Sequence, residues 1–133
     1  MAFGTLKADT LTHSTAGSVP TNYVVEGSAK AWINMDGTGT IATRDSLNIA
    51  SITDEGTGTY QHNSTNAMSS DDYTCVYNAG NGAGNSDDGT NPGNGYSTSH
   101  PNTASQAVME TMGDTASNVD REYIGGNWHG DLA

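Results

Sequence analysis

The chain has 133 residues, a formal net charge of −11, and only four Lys and Arg against fifteen Asp and Glu. Lys7, Lys30, Arg44 and Arg121 stand singly, so the chain has no cationic surface of the kind that displaces counterions from nucleic acid or settles on an anionic membrane. One cysteine, Cys75, excludes an internal disulfide framework, no apolar run is long enough for a transmembrane helix, and Met1 to Thr12 lacks the basic start and apolar stretch of a signal peptide.

The first 28 residues are expected to form an extended arm with a turn, not a helix. Gly4 to Leu11 alternates weakly, with Leu6, Ala8 and Thr10 in phase, and Ser14 to Pro20 has loop composition. Tyr23-Val24-Val25-Glu26 is a short strand-like run closed by Gly27.

Residues 29–133 are expected to form the main domain. Ala29 to Met35 alternates, with Ala31, Ile33 and Met35 on one face and Trp32 on the other. Asp36-Gly37-Thr38-Gly39 is a hairpin signal, since glycine takes positive φ without steric cost. Ile41 to Leu47 follows, with Ile41, Thr43, Asp45 and Leu47 in phase. Asn48 breaks the alternation before a strand at Ile49 to Thr53. Glu55-Gly56-Thr57-Gly58 repeats the turn device and leads to a strand at Thr59 to Asn63. In the next strand, Tyr73 to Asn78, the residues Tyr73, Cys75 and Tyr77 share a face, which makes Cys75 a small core residue rather than a nucleophile.

From Asn78 to Asn102 the composition becomes simple, with six Asn, six Gly and two Pro around Asp87-Asp88. Inserts of this length lie on the surface. Two apolar runs remain, Ala104 to Met112 and Val119 to Trp128. Periodicity leaves helix and strand both open for the first. Gly125-Gly126 within the second indicates a bulge or a close backbone approach.

No catalytic constellation emerges. His13, His62, His100 and His129 are far apart and lack zinc-ligand spacing, and neither a nucleophile elbow nor a phosphate loop is present. Asp71-Asp72 and Asp87-Asp88 are adjacent acids, not a glycosidase pair facing across a cleft. Asp87, Asp88 and nearby Asn residues have the hard oxygens that calcium prefers, but the ordered EF-hand spacing is missing. The expectation is therefore a protein without enzyme activity, metal or cofactor. Asn63-Ser64-Thr65 is a glycosylation sequon, relevant only in a eukaryotic secretory pathway.

Leu, Ile, Val and Phe make up 16 of the 133 residues, whereas Thr, Gly, Ser and Asn make up 61. Such a chain is poorly equipped to build a large core alone, and it can gain burial against copies of itself. The spacing of its turns predicts an all-β fold, a small antiparallel β-sandwich of about six to eight short strands.

Several stretches in combination resemble structural proteins of marine bacteriophages, cyanophage- and pelagiphage-like. They are Gly4-Thr-Leu-Lys-Ala-Asp-Thr-Leu11, Tyr23-Val-Val-Glu-Gly-Ser-Ala-Lys-Ala-Trp32 and Asn34-Met-Asp-Gly-Thr-Gly-Thr-Ile-Ala-Thr-Arg-Asp-Ser46. Asn48-Ile-Ala-Ser-Ile-Thr-Asp-Glu-Gly-Thr-Gly58, Asn66-Ala-Met-Ser-Ser-Asp-Asp-Tyr73, Val119-Asp-Arg-Glu122 and Gly130-Asp-Leu-Ala133 also fit. The resemblance spans nearly the whole chain except the Asn/Gly-rich insert. It implies a tail-fibre or fibre-like virion protein: a trimeric, β-rich appendage with a jelly-roll-like sandwich, assembled in the host bacterial cytoplasm. It also implies a strand at Ala104 to Met112. The chain departs from the family at Ile124 to His129, where Gly125-Gly126-Asn127 replaces a more continuous run and puts the pairing of the last strand in question.

On this basis the expected partners are the chain itself, other virion proteins, and a host surface glycan or protein. The arm, residues 1–28, is expected to supply trimer or virion contacts through Leu6, Leu11, Tyr23 and Val25. The insert, 78–102, is expected to offer a receptor-contact loop at Asp87, Asp88, Tyr96 and His100. A capsid decoration or head-fibre protein is the alternative, and a glycan depolymerase a remote one.

Overall fold

The computed structural model describes residues 4, 7–80, 95–96, 103–113 and 117–133. The arm begins with a hairpin of β1 (Thr10–His13) and β2 (Gly17–Pro20), followed by a short helix, α1 (Thr21–Gly27). The helix corrects the expectation of an extended run at Tyr23 to Glu26. Among the described residues, no strand lies beside Val24 and Val25 to satisfy their backbone, whereas one helical turn pairs it locally. The helix start is anchored by the Thr21 N–H on the Asp9 carbonyl (2.9 Å) and by the Thr21 hydroxyl on the Ala8 carbonyl (2.6 Å). At its end, the Val25 carbonyl accepts from the Lys30 ammonium and the Ser28 hydroxyl. Such side-chain donors satisfy carbonyls that a helix end leaves unpaired.

Eight further strands form two antiparallel sheets. The first has the order β4 (Ala42–Leu47), β3 (Ala31–Asp36), β10 (Tyr123–His129), β7 (Thr74–Gly80). The second has the order β5 (Ile49–Gly56), β6 (Thr59–Ser64), β9 (Gln106–Thr111), β8 (Gly95–Tyr96). Their inner faces share one core. Ala31, Ile33, Met35, Ile124 and Trp128 come from the first sheet, and Tyr60, Ala107 and Met109 from the second. Tyr73, just before β7, and Cys75, Tyr77 and Ala79 within it pack against this core. The alternation of β3 behaves as its sequence predicts, with Ala31, Ile33 and Met35 buried and Trp32 on the outer face. The run with undecided periodicity is a strand, β9, central in the second sheet.

Asn48 turns the chain from one sheet into the other. Its φ of 58° lies in the left-handed region, which Asn tolerates better than most residues. Its side-chain oxygen accepts from the Asn66 N–H (2.8 Å), and its side-chain amide donates to the Asn66 carbonyl (3.0 Å). The corner and the 65–66 turn are thus tied together.

β4 departs from the expected phase. Asn34 faces Asp45 and Met35 faces Thr43, so Arg44 is an extra residue, a β-bulge. Cross-strand partners share a face. The bulge therefore puts Thr43 opposite core-facing Met35, and Asp45 and Leu47 opposite outward-facing Asn34 and Trp32.

β10 also resolves an open question. It pairs with β3 and β7 without any register shift, so Gly125-Gly126 is not a bulge. It is a close approach: a Cβ at Gly126 would stand 2.6 Å from Cδ1 of Tyr77, and one at Gly125 would collide with the Asn78 amide oxygen. The missing side chain at 126 lets the Tyr77 ring lie across the inner face. There it meets Trp128 edge-on at 5.5 Å and stacks on His62 of the opposite sheet at 6.2 Å.

Candidate functional site

The expected site residues fall into two groups. Leu6, Asp87, Asp88 and His100 lie outside the described residues. The backbone of Tyr96 is in β8, paired with Glu110 at the edge of the second sheet. In the arm, Leu11, Tyr23 and Val25 are all exposed, Tyr23 at 67% and Val25 at 61%. Val19 and Val24 accompany them. Among the described residues, the hydrogen bonds of the arm close within residues 8–30. Its apolar side chains thus remain uncovered by the sandwich.

The titratable groups are dispersed. Burial pushes the Cys75 thiol up to about 11, the opposite of what a nucleophile needs. His13 organises the arm's turn by accepting the N–H of Ala16 on Nδ1 at 3.0 Å. His62 is buried among aromatic rings, and burial pulls it down to about 4. The nearby Ala107 backbone opposes that shift, and no well-formed hydrogen bond reaches either ring nitrogen. Among the described residues, no three His, Cys, Asp or Glu come together as a metal cage would require.

The outer face of the first sheet is the most organised surface. At one edge, Arg44 donates to the Asp36 carboxylate at 2.9 Å and to the Met35 carbonyl at 2.8 Å. Its guanidinium also lies 4.4 Å from the centre of the Tyr123 ring. Hydrogen bonds from the Thr38 hydroxyl and N–H hold the Asp36 carboxyl below its ordinary range, and the Arg44 charge adds to them. The β4 bulge is what brings Arg44 here, a consequence that alternation in sequence does not reveal.

Two cross-strand rows run over this face. Leu47, Trp32, Asn127 and Val76 form one, an apolar and aromatic row except at Asn127. Asp45, Asn34, Gly125 and Asn78 form the other, a polar row with a gap at the glycine. Beside that gap is an open groove of about 480 Å³, lined by Asn34, Asn78, Gly80, Tyr123 and Gly125 with the edges of Ile33, Ala79 and Ile124. Sequence reasoning placed Trp32 on this face but did not single out Asn34, Val76 or Tyr123. Their signal was the outward phase of three strands that become neighbours only once β10 is inserted between β3 and β7.

No protein-family model, curated protein or solved structure matches the chain.

Proposed function

We propose that this chain is a structural module of a bacteriophage virion, assembling as a homotrimer that serves as a tail fibre or fibre tip. The observation that carries the reading is the uncovered arm. Of the nine large apolar side chains left exposed among the described residues, five (Leu11, Val19, Tyr23, Val24 and Val25) belong to it. An exposed apolar surface of this kind marks an association site, and a symmetric partner supplies a matching copy. The thin core points the same way, since assembly adds the burial that one chain lacks.

The resemblance of the sequence stretches supplies the virion, the trimer and the absence of enzyme activity. Of the expected jelly-roll-like wrap, this reading keeps the two-sheet sandwich. The hairpins β3–β4 and β5–β6 each stay within one sheet. The reading is tested by light scattering on the purified chain at micromolar concentration. The expected mass is three times the 13.7 kDa of one chain. A monomer overturns the trimer. Density on the virion, located by electron microscopy, then separates a tail position from decoration of the shell.

A further inference from the structure

The groove on the outer face of the first sheet has a chemistry of its own. Asn34 and Asn78 stand on either side of Gly125, two strand spacings or about 10 Å apart. The Asn78 amide leans over the glycine: its Nδ2 lies 3.8 Å from where a Cβ would stand. Neither amide side chain is hydrogen-bonded to another described residue, so together they offer two carbonyl acceptors and two NH₂ donors to a ligand. Gly80 and Gly125 lower the floor, and Tyr123 closes one end.

Charge narrows the choice of ligand. None of the eight described lining residues is a carboxylate or an amine, and Arg44, against Tyr123, is already paired with Asp36, so the described lining offers no free counter-charge for a phosphate or a sulfate. The aromatic member of the lining is Tyr123, two residues along β10 from Gly125 and on the same face. A ligand matching this lining needs hydroxyls or amides toward the two Asn residues, a C–H face toward Tyr123, and no anionic group.

We propose that this groove binds a neutral saccharide. Hydroxyls pair with the Asn34 and Asn78 amides, each of which both donates and accepts, while the ring's C–H face rests toward Tyr123. This goes beyond the reading above and uses a different surface from the arm, so it stands or falls separately from the trimer.

The test is a titration of the full-length, ¹⁵N-labelled chain with neutral oligosaccharides of glucose, galactose, mannose and N-acetylglucosamine, with dextran sulfate as the anionic control. At least one neutral oligosaccharide is expected to give saturable shifts of the Asn34, Asn78, Tyr123 and Gly125 amides. The Asn34→Ala/Asn78→Ala variant is expected to bind it about tenfold more weakly or less, with an otherwise unchanged spectrum. If that variant is unfolded, the single Asn34→Asp substitution at an exposed position serves instead, with the same expected loss. Three outcomes overturn the site: no neutral sugar shifts these amides at millimolar concentration, binding survives in the variants, or dextran sulfate binds the groove more tightly. Light scattering of the same samples reports the trimer independently, so loss of assembly with sugar binding retained removes only the assembly reading.

Discussion

Tyr60, rooted in the second sheet, places its hydroxyl 2.9 Å from the carbonyl oxygen of Gly37, in the hairpin of the first. The same hydroxyl is 2.9 Å from the Asp120 carboxylate, which in turn accepts the N–H of Gly58 at 2.7 Å. One phenol thus joins both glycine turns and the segment before β10. Burial, reinforced by Asp120, raises its pKa and keeps the proton on the oxygen. Tyr60→Phe keeps the ring and loses the bridge, leaving the Gly37 carbonyl buried without its donor. The expected cost is about 1–3 kcal/mol, read as a lower denaturant midpoint with an unchanged slope.

The glycines of the two similar turns are not equivalent. Gly39 has a φ of 60° and open space where a side chain would go. Gly58 has a φ of 65°, and a Cβ there would stand 2.6 Å from the Thr111 carbonyl oxygen and 2.7 Å from the Val119 nitrogen. Gly39→Ala is expected to cost only the left-handed conformation, about 1–2 kcal/mol. Gly58→Ala must also displace backbone and is expected to cost about 3 kcal/mol or more. Thermal melts of the two variants in parallel test the ranking, and equal losses would refute it.

His62 makes stability depend on pH. Its folded pKa of about 4 lies below the ordinary 6.5, so the folded protein resists a proton that the unfolded chain accepts. The stabilisation is complete above pH 6.5. It is lost as pH falls from 6.5 to about 4 and is flat below that for this group. Between pH 7.5 and 4.5 the loss is expected to be roughly 2–3 kcal/mol. Because carboxylates also titrate near the lower end, the decisive comparison is His62→Phe, whose unfolding free energy should vary less over the same interval.

At Asn48, two substitutions separate backbone from side chain. Asn48→Gly keeps the left-handed φ but loses the bonds to Asn66; Asn48→Ala loses both. Urea unfolding is expected to rank the wild type above Gly and Gly above Ala, with Ala about 2–3 kcal/mol below the wild type. If Ala and Gly are equally destabilised, the hydrogen bonds alone set the corner.

Much of the sandwich was legible because its signals are local. Ala31, Ile33 and Met35 alternate without interruption, the glycine turns at 37–39 and 56–58 lie where hairpins form, and Asn48 marks a break that is a real corner. The failures came from information that is not local. Val24 and Val25 resemble a strand until the absence of a neighbouring strand among the described residues becomes decisive. Thr43 and Asp45 share a phase in sequence and are parted by a bulge that only the pairing with β3 defines. The polar groove was hidden for the same reason. Asn34 and Asn78 are 44 positions apart and become neighbours of Gly125 through register alone.

That register has a consequence for synthesis. β3 and β7 do not pair with each other; they are joined only through β10, which is made last of the three. On the ribosome, a nascent chain already carrying residues 31–80 has no means of closing the first sheet. The edges of β3 and β7 that pair with β10 wait unjoined until residue 129 has cleared the exit tunnel. Closure is therefore a late, long-range event of the kind that slows folding and leaves unfinished chains prone to aggregate, and a stall anywhere before Tyr123 releases two half-sheets with unpaired edges rather than a shortened sandwich.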